Sequence, residues 1–172
     1  GPCFPGADLA VNRRSCGWGF EVRGNTFREH RSRAVICSAG GGVIADNRMA
    51  SSSLWAIEVS NDNDWPEGPV PQATVIEGNR ISSSGRALPS PAIIVSGLRK
   101  GRHAATAPTV SGITVRGNEI RGWSGRSAIL VRAARDVLIA NNDVMPVPGM
   151  DQGDVTVQAS PDVVVDYFGA TG

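Results

Sequence analysis

The stretch Ile113-Thr114-Val115-Arg116-Gly117-Asn118-Glu119-Ile120 decides the fold. Two apolar residues alternate with polar ones, a Gly-Asn corner follows, and an apolar residue resumes two places on. The unit returns as Phe20-Glu21-Val22-Arg23-Gly24-Asn25-Thr26-Phe27, Val43-Ile44-Ala45-Asp46-Asn47-Arg48-Met49, Val75-Ile76-Glu77-Gly78-Asn79-Arg80-Ile81 and Val137-Leu138-Ile139-Ala140-Asn141-Asn142-Asp143-Val144. Period-two alternation over so few residues buries one face of a short strand. One such unit cannot bury that face alone, so copies must stack. Parallel stacking sets equivalent residues about 4.8 Å apart, and one asparagine amide can then bond to the next. Each such bond contributes about 1 kcal/mol net. The Gly or Asp before most of these asparagines suits a bend with positive φ.

A second unit alternates with the first: Ala34-Val35-Ile36, Ala56-Ile57-Glu58-Val59, Ala92-Ile93-Ile94-Val95, Ala128-Ile129-Leu130-Val131 and Asp154-Val155-Thr156-Val157. Each pair of units makes one turn of a superhelix. The aligned asparagines stand 22, 32, 39 and 24 residues apart. A bare coil therefore takes about 22 to 24 residues, and the longer steps carry insertions. The pattern predicts an all-β chain, a right-handed single-stranded parallel β-helix of about five coils. Residues 1–16 read as a lead or partial coil and residues 17–168 as the β-helix domain, with insertions at residues 60–72 and 96–109. A doubly wound α/β fold would need amphipathic helices between the strands. Ser82-Ser83-Ser84-Gly85-Arg86-Ala87-Leu88-Pro89 cannot supply one, because Ser, Gly and Pro break the period. A β-sandwich leaves the register of the asparagines unexplained.

Composition agrees with many corners and little helix: 21 Gly, 11 Pro and 5% aromatic residues among 172. A net charge of +1 gives no argument for nucleic acid or membrane as partner. No apolar run approaches the roughly 20 residues of a membrane-spanning helix. The opening Gly1-Pro2 reads as a processed or engineered start, and the chain as either a natural short protein or a piece of a longer one. Cys16 and Cys37 lie close to one coil apart, so they read either as a disulfide between neighbouring coils or as buried thiols. No cysteine or histidine spacing points to a metal, and no cofactor is expected.

Insertions on a solenoid gather on one face and often carry its binding surface. The insertion Ser60-Asn61-Asp62-Asn63-Asp64-Trp65-Pro66-Glu67-Gly68-Pro69-Val70-Pro71-Gln72 sets Asp62, Asp64 and Glu67 around Trp65. Glycoside hydrolysis needs one carboxyl as acid and another as base or nucleophile. If Asp62 to Asp64 extends the preceding strand, two steps of about 3.3 Å place their side chains roughly 6.6 Å apart. That is the low end of the range of about 6.5 to 9.5 Å for inverting enzymes. Trp65 would offer an apolar platform to a sugar ring, and Trp55 would line the same groove or else pack over a coil corner. Such a loop also reads as a solvated turn or a weak Ca²⁺ site. His30, Arg31 and Arg33 are candidate contacts for a sugar hydroxyl or carboxylate, or else an exposed corner paired with Glu29. Arg99 and His103, with Arg102, would clamp an anionic group, or form a mobile basic loop, since Ala104-Ala105-Thr106-Ala107-Pro108 shows no anchor. Gly40-Gly41-Gly42 is a turn with no helix after it to receive a phosphate.

Asn25-Thr26-Phe27-Arg28-Glu29-His30-Arg31-Ser32-Arg33-Ala34-Val35, together with the segment from Asp62 through Trp65-Pro66-Glu67-Gly68 to Val75-Ile76-Glu77-Gly78-Asn79, resembles bacterial β-helix proteins. These are similar to the α-1,3-galactosidases of glycoside hydrolase family 110. The resemblance covers residues 17–145 and implies a secreted, metal-independent, inverting hydrolase of terminal α-galactose. It carries Asp62, Asp64 and Glu67 over as catalytic groups and His30 and Arg33 as substrate contacts. Family members are far longer than this chain. The coil repeat itself is shared with pectate lyases, epimerases and phage depolymerases.

The expected partner is thus an oligo- or polysaccharide, and end coils could pair copies of the chain. In the hydrolase reading, Asp64 is acid or base, Asp62 its partner, Glu67 a supporting carboxylate and Trp65 the platform. A non-catalytic glycan-binding or scaffold module is the first alternative. A polysaccharide lyase or epimerase is the second, and it would rest on Arg99, Arg102 and His103.

Overall fold

A computed structural model describes residues 15–61, 68–99 and 103–166, with Arg99 and Ala104 as backbone. The described residues form strands and turns and no helix. The first sheet runs β1 (Glu21–Arg23), β4 (Val43–Ala45), β7 (Gln72–Glu77), β12 (Val110–Arg116), β15 (Ala134–Ala140) and β18 (Val163–Asp166). The second runs β2 (Thr26–Arg28), β5 (Arg48–Ala50), β8 (Arg80–Ser84), β13 (Glu119–Trp123) and β16 (Asp143–Met145). The third runs β3 (Val35–Cys37), β6 (Ile57–Ser60), β9 (Ile93–Ser96), β14 (Ser127–Arg132) and β17 (Gly153–Gln158). Every pairing within these sheets is parallel. Successive strands therefore pass from sheet to sheet, the pattern of a parallel β-helix. The first sequence unit is two strands, not one. The chain bends at the asparagine, so each coil has three walls.

The stacked rows match the alternation. Val22, Ile44, Ile76, Val115, Ile139 and Val165 follow one another in register on the first sheet. Phe27, Met49, Ile81, Ile120 and Val144 do so on the second. Val35, Ile57, Ile93, Ile129 and Val155 do so on the third. These rows meet in one core, fully buried in the central coils. Each buried isoleucine contributes about 1.5–3 kcal/mol, as an upper estimate.

The asparagines form a continuous ladder. Asn25, Asn47, Asn79 and Asn118 each donate a side-chain N–H to Oδ1 of the next asparagine, at 2.9–3.1 Å, ending on Asn142. The same Oδ1 atoms also accept the backbone N–H of the preceding asparagine. In Asn47, Asn79, Asn118 and Asn142 the second side-chain N–H reaches a carbonyl of the previous coil, on Val22, Ile44, Ile76 and Val115. The residue before each asparagine, from Gly24 and Asp46 through Gly78 and Gly117 to Asn141, is left-handed, with φ of 52° to 64°.

Cys37 is a buried free thiol, so the bridge to Cys16 is absent. Its Sγ donates to the Ala39 carbonyl. The Gly40-Gly41-Gly42 turn has a packing cause. A Cβ on Gly42 would lie 2.3 Å from the Phe20 ring, and one on Gly40 2.5 Å from the Trp18 ring.

Candidate functional site

Both insertions leave the third sheet at the same corner. Ser60 ends β6, Ser96 ends β9, and the two are partners in register. Asn61 ties the two roots together. Its side-chain N–H donates to the Leu98 carbonyl at 2.7 Å, and its Oδ1 accepts the Leu98 N–H at 2.9 Å and the Thr109 hydroxyl at 3.2 Å. The insertions thus start from one wall, as solenoid geometry requires.

Asp62, Asp64, Trp65 and Glu67 lie outside the described residues. Arg99 and His103 are partners in the antiparallel hairpin of β10 (Leu98–Arg99) and β11 (His103–Ala104). The expectation of an unanchored segment there is corrected. Ala105 N–H bonds to the Gly97 carbonyl and Thr109 N–H to the Ala133 carbonyl, fixing both sides of the hairpin. His103 is exposed.

The outer face of the third sheet gathers Trp55 and Arg33 on a carboxylate that sequence reasoning missed. Glu58 is 1% exposed although it points away from the core. Its Oε2 accepts the Trp55 indole N–H at 2.7 Å, and its Oε1 accepts the Ser60 hydroxyl at 2.8 Å. Arg33 Nε lies 2.6 Å from Oε2, an ion pair off the line of a hydrogen bond. The Arg33 guanidinium carbon sits 5.2 Å from the centre of the Trp55 ring, a cation–π contact. A charge buried this deeply persists only when paired and hydrogen-bonded. Glu58 is thus a positioning residue for Trp55 and Arg33.

Ile36, Glu58, Ile94 and Leu130 are one outward row in register. The row is unevenly covered: Ile94 is only 3% exposed, whereas Ile36 is 53% exposed. His30 and Arg31 do not join this cluster. His30 is exposed and meets the Phe27 ring edge-on at 5.7 Å, and Arg31 is exposed. The alternative of Arg33 pairing with Glu29 is replaced by its pairing with Glu58. Among the described residues, no group of His, Cys, Asp and Glu side chains could hold a metal ion.

A search against protein-family models finds no match, and a search of curated proteins finds none either.

Proposed function

We propose that this chain is a carbohydrate-active β-helix, wound right-handed in about five coils, that receives an oligo- or polysaccharide at Trp55 and Arg33, beside the third sheet. Right-handed winding follows from the handedness of nearly all parallel crossovers. The observation that carries the reading is the Trp55 indole pinned by Glu58 beside Arg33, at the root that Asn61 shares between both insertions. A tryptophan with its N–H already satisfied keeps an apolar ring for a sugar face, at low entropic cost. An arginine fixed beside it offers further N–H donors to hydroxyls.

Hydrolysis of α-galactosides by an inverting two-carboxylate mechanism is the fuller form of this reading. It rests on the family resemblance and on Asp62, Asp64 and Glu67, the first of which follows Asn61 directly in the sequence. The test is a glycan-array screen followed by galactose release from any α-galactoside that binds. Trp55→Ala should weaken binding at least tenfold, or about 1.4 kcal/mol. Asp62→Asn and Asp64→Asn should each abolish release and leave binding intact. Binding without turnover by the parent chain would remove the hydrolase and leave a binding module. Failure to bind any glycan would remove the whole reading.

A further inference from the structure

The second sheet carries a site that does not rest on the reading above. Its outer face bears two stacked rows. Thr26, Arg48, Arg80, Glu119 and Asp143 follow one another in register, and beside them run Arg28, Ala50, Ser82 and Arg121. The small residues Ala50 and Ser82 leave a notch between the long side chains of Arg28 and Arg121. The result is an open trough of about 310 Å³. Arg28 and Arg121 stand three coils apart, about 14 Å at 4.8 Å per step.

The charges in the trough are not balanced. Arg121 pairs with Asp143 and lies 3.6 Å from Glu119, and Arg80 lies 3.3 Å from Glu119. Among the described residues no carboxylate pairs with Arg28 or Arg48. Arg48 and Arg80 are direct partners in register, and like charges so placed repel and cost stability. Glu119 offsets Arg80 but not Arg48, and an arrangement that leaves one such charge uncompensated is expected where a ligand supplies the missing charge. Arginine forks bind carboxylates bidentately, through planar paired donors. Ser82 and Thr26 add hydroxyls between them, suited to a polyhydroxylated ligand.

We propose that this trough binds a linear acidic oligosaccharide lying along the stack, its carboxylates taken by Arg28 and Arg48. Nucleic acid fits less well. No aromatic side chain faces outward in either row to stack a base.

The test is titration of the full chain with oligogalacturonate, with its neutral methyl ester as control. The acid should bind and weaken at raised salt, and the ester should not bind. The double variant Arg28→Gln and Arg48→Gln should lose at least tenfold in affinity. Arg48→Gln should melt no lower than the parent, because it relieves the Arg48–Arg80 repulsion, so a folding failure cannot explain lost binding. Ala50→Glu, which fills the notch with negative charge, should abolish binding. Any one of three results overturns the proposal: no binding of the acid, affinity unchanged in the double variant, or tighter binding of a sulfated oligosaccharide or single-stranded DNA.

Discussion

Asn79 shows how much one side chain carries. Alanine there would remove four hydrogen bonds, to Asn118 and Ile44 and from the side chain and backbone N–H of Asn47, all in a buried setting. Donors left unpaired away from water cost about 1–3 kcal/mol each. Asn79→Ala should therefore destabilise by about 3 kcal/mol or more. Asn25→Ala, at the exposed end of the ladder, should cost about 1 kcal/mol. Urea midpoints at constant slope check both, and equal losses would refute the ladder as the source. Cys37 makes a second residue-scale test. Burial pushes its thiol above the usual 9.0, outweighing the hydrogen bonds with Ala39 and Thr74. A raised folded-state pKa favours the neutral thiol, so this contribution is complete below about pH 9 and fades as pH climbs through the folded value. Cys37→Ala should flatten that part of the alkaline stability profile. Ser84 is the converse case: its hydroxyl is buried and has no hydrogen-bond partner among the described residues. Ser84→Ala should leave the melting temperature unchanged or raise it.

At the scale of elements, what could be read from sequence depended on whether the signal repeats. The asparagine corner and its left-handed neighbour recur coil after coil, so Asn25, Asn47, Asn79, Asn118 and Asn142 could be aligned without coordinates. The division of that unit into two strands was missed although a trace of it is present: Val115 and Ile120 stand an odd number of positions apart, so the apolar alternation changes phase at the Gly117-Asn118 bend. Glu58 and Asn61 were missed for a different reason. Each occurs once, and its role depends on the neighbouring coil: Glu58 on Arg33 before it, Asn61 on Leu98 after it. Pairwise contacts across coils leave no periodic trace. Asn61 is also where the element scale can be tested. Asn61→Ala would cut both insertions from their common root while leaving the sheet ladders intact. Amide exchange at Leu98 should then rise at least tenfold, with no change in β14. Unchanged exchange at Leu98 would mean that the hairpin is held by other contacts.

The whole molecule is a stack, and stacks unfold from their ends. Each coil touches only its neighbours, so its stability is its own plus that of two interfaces, and a terminal coil has lost one of them. Burial follows this rule. Ile76, Ile93, Ile120 and Ile129 in the middle are sealed, while Val22, Phe27, Val35 and Val155, in the same rows, are only partly buried. Among the described residues, β1 to β3 and β16 to β18 are the outermost strands, and such edges would also be the natural place for a second copy to pair. These two ideas separate in one experiment. In dilute solution, amide protection should be highest in β7 to β9 and β12 to β14 and should fall toward β1 to β3 and β16 to β18. If copies pair through an end coil, protection at that end alone should rise with protein concentration while the centre stays constant. Uniform protection along the chain at all concentrations would contradict both, since it would mean the coils unfold as one unit and the ends are no weaker than the middle.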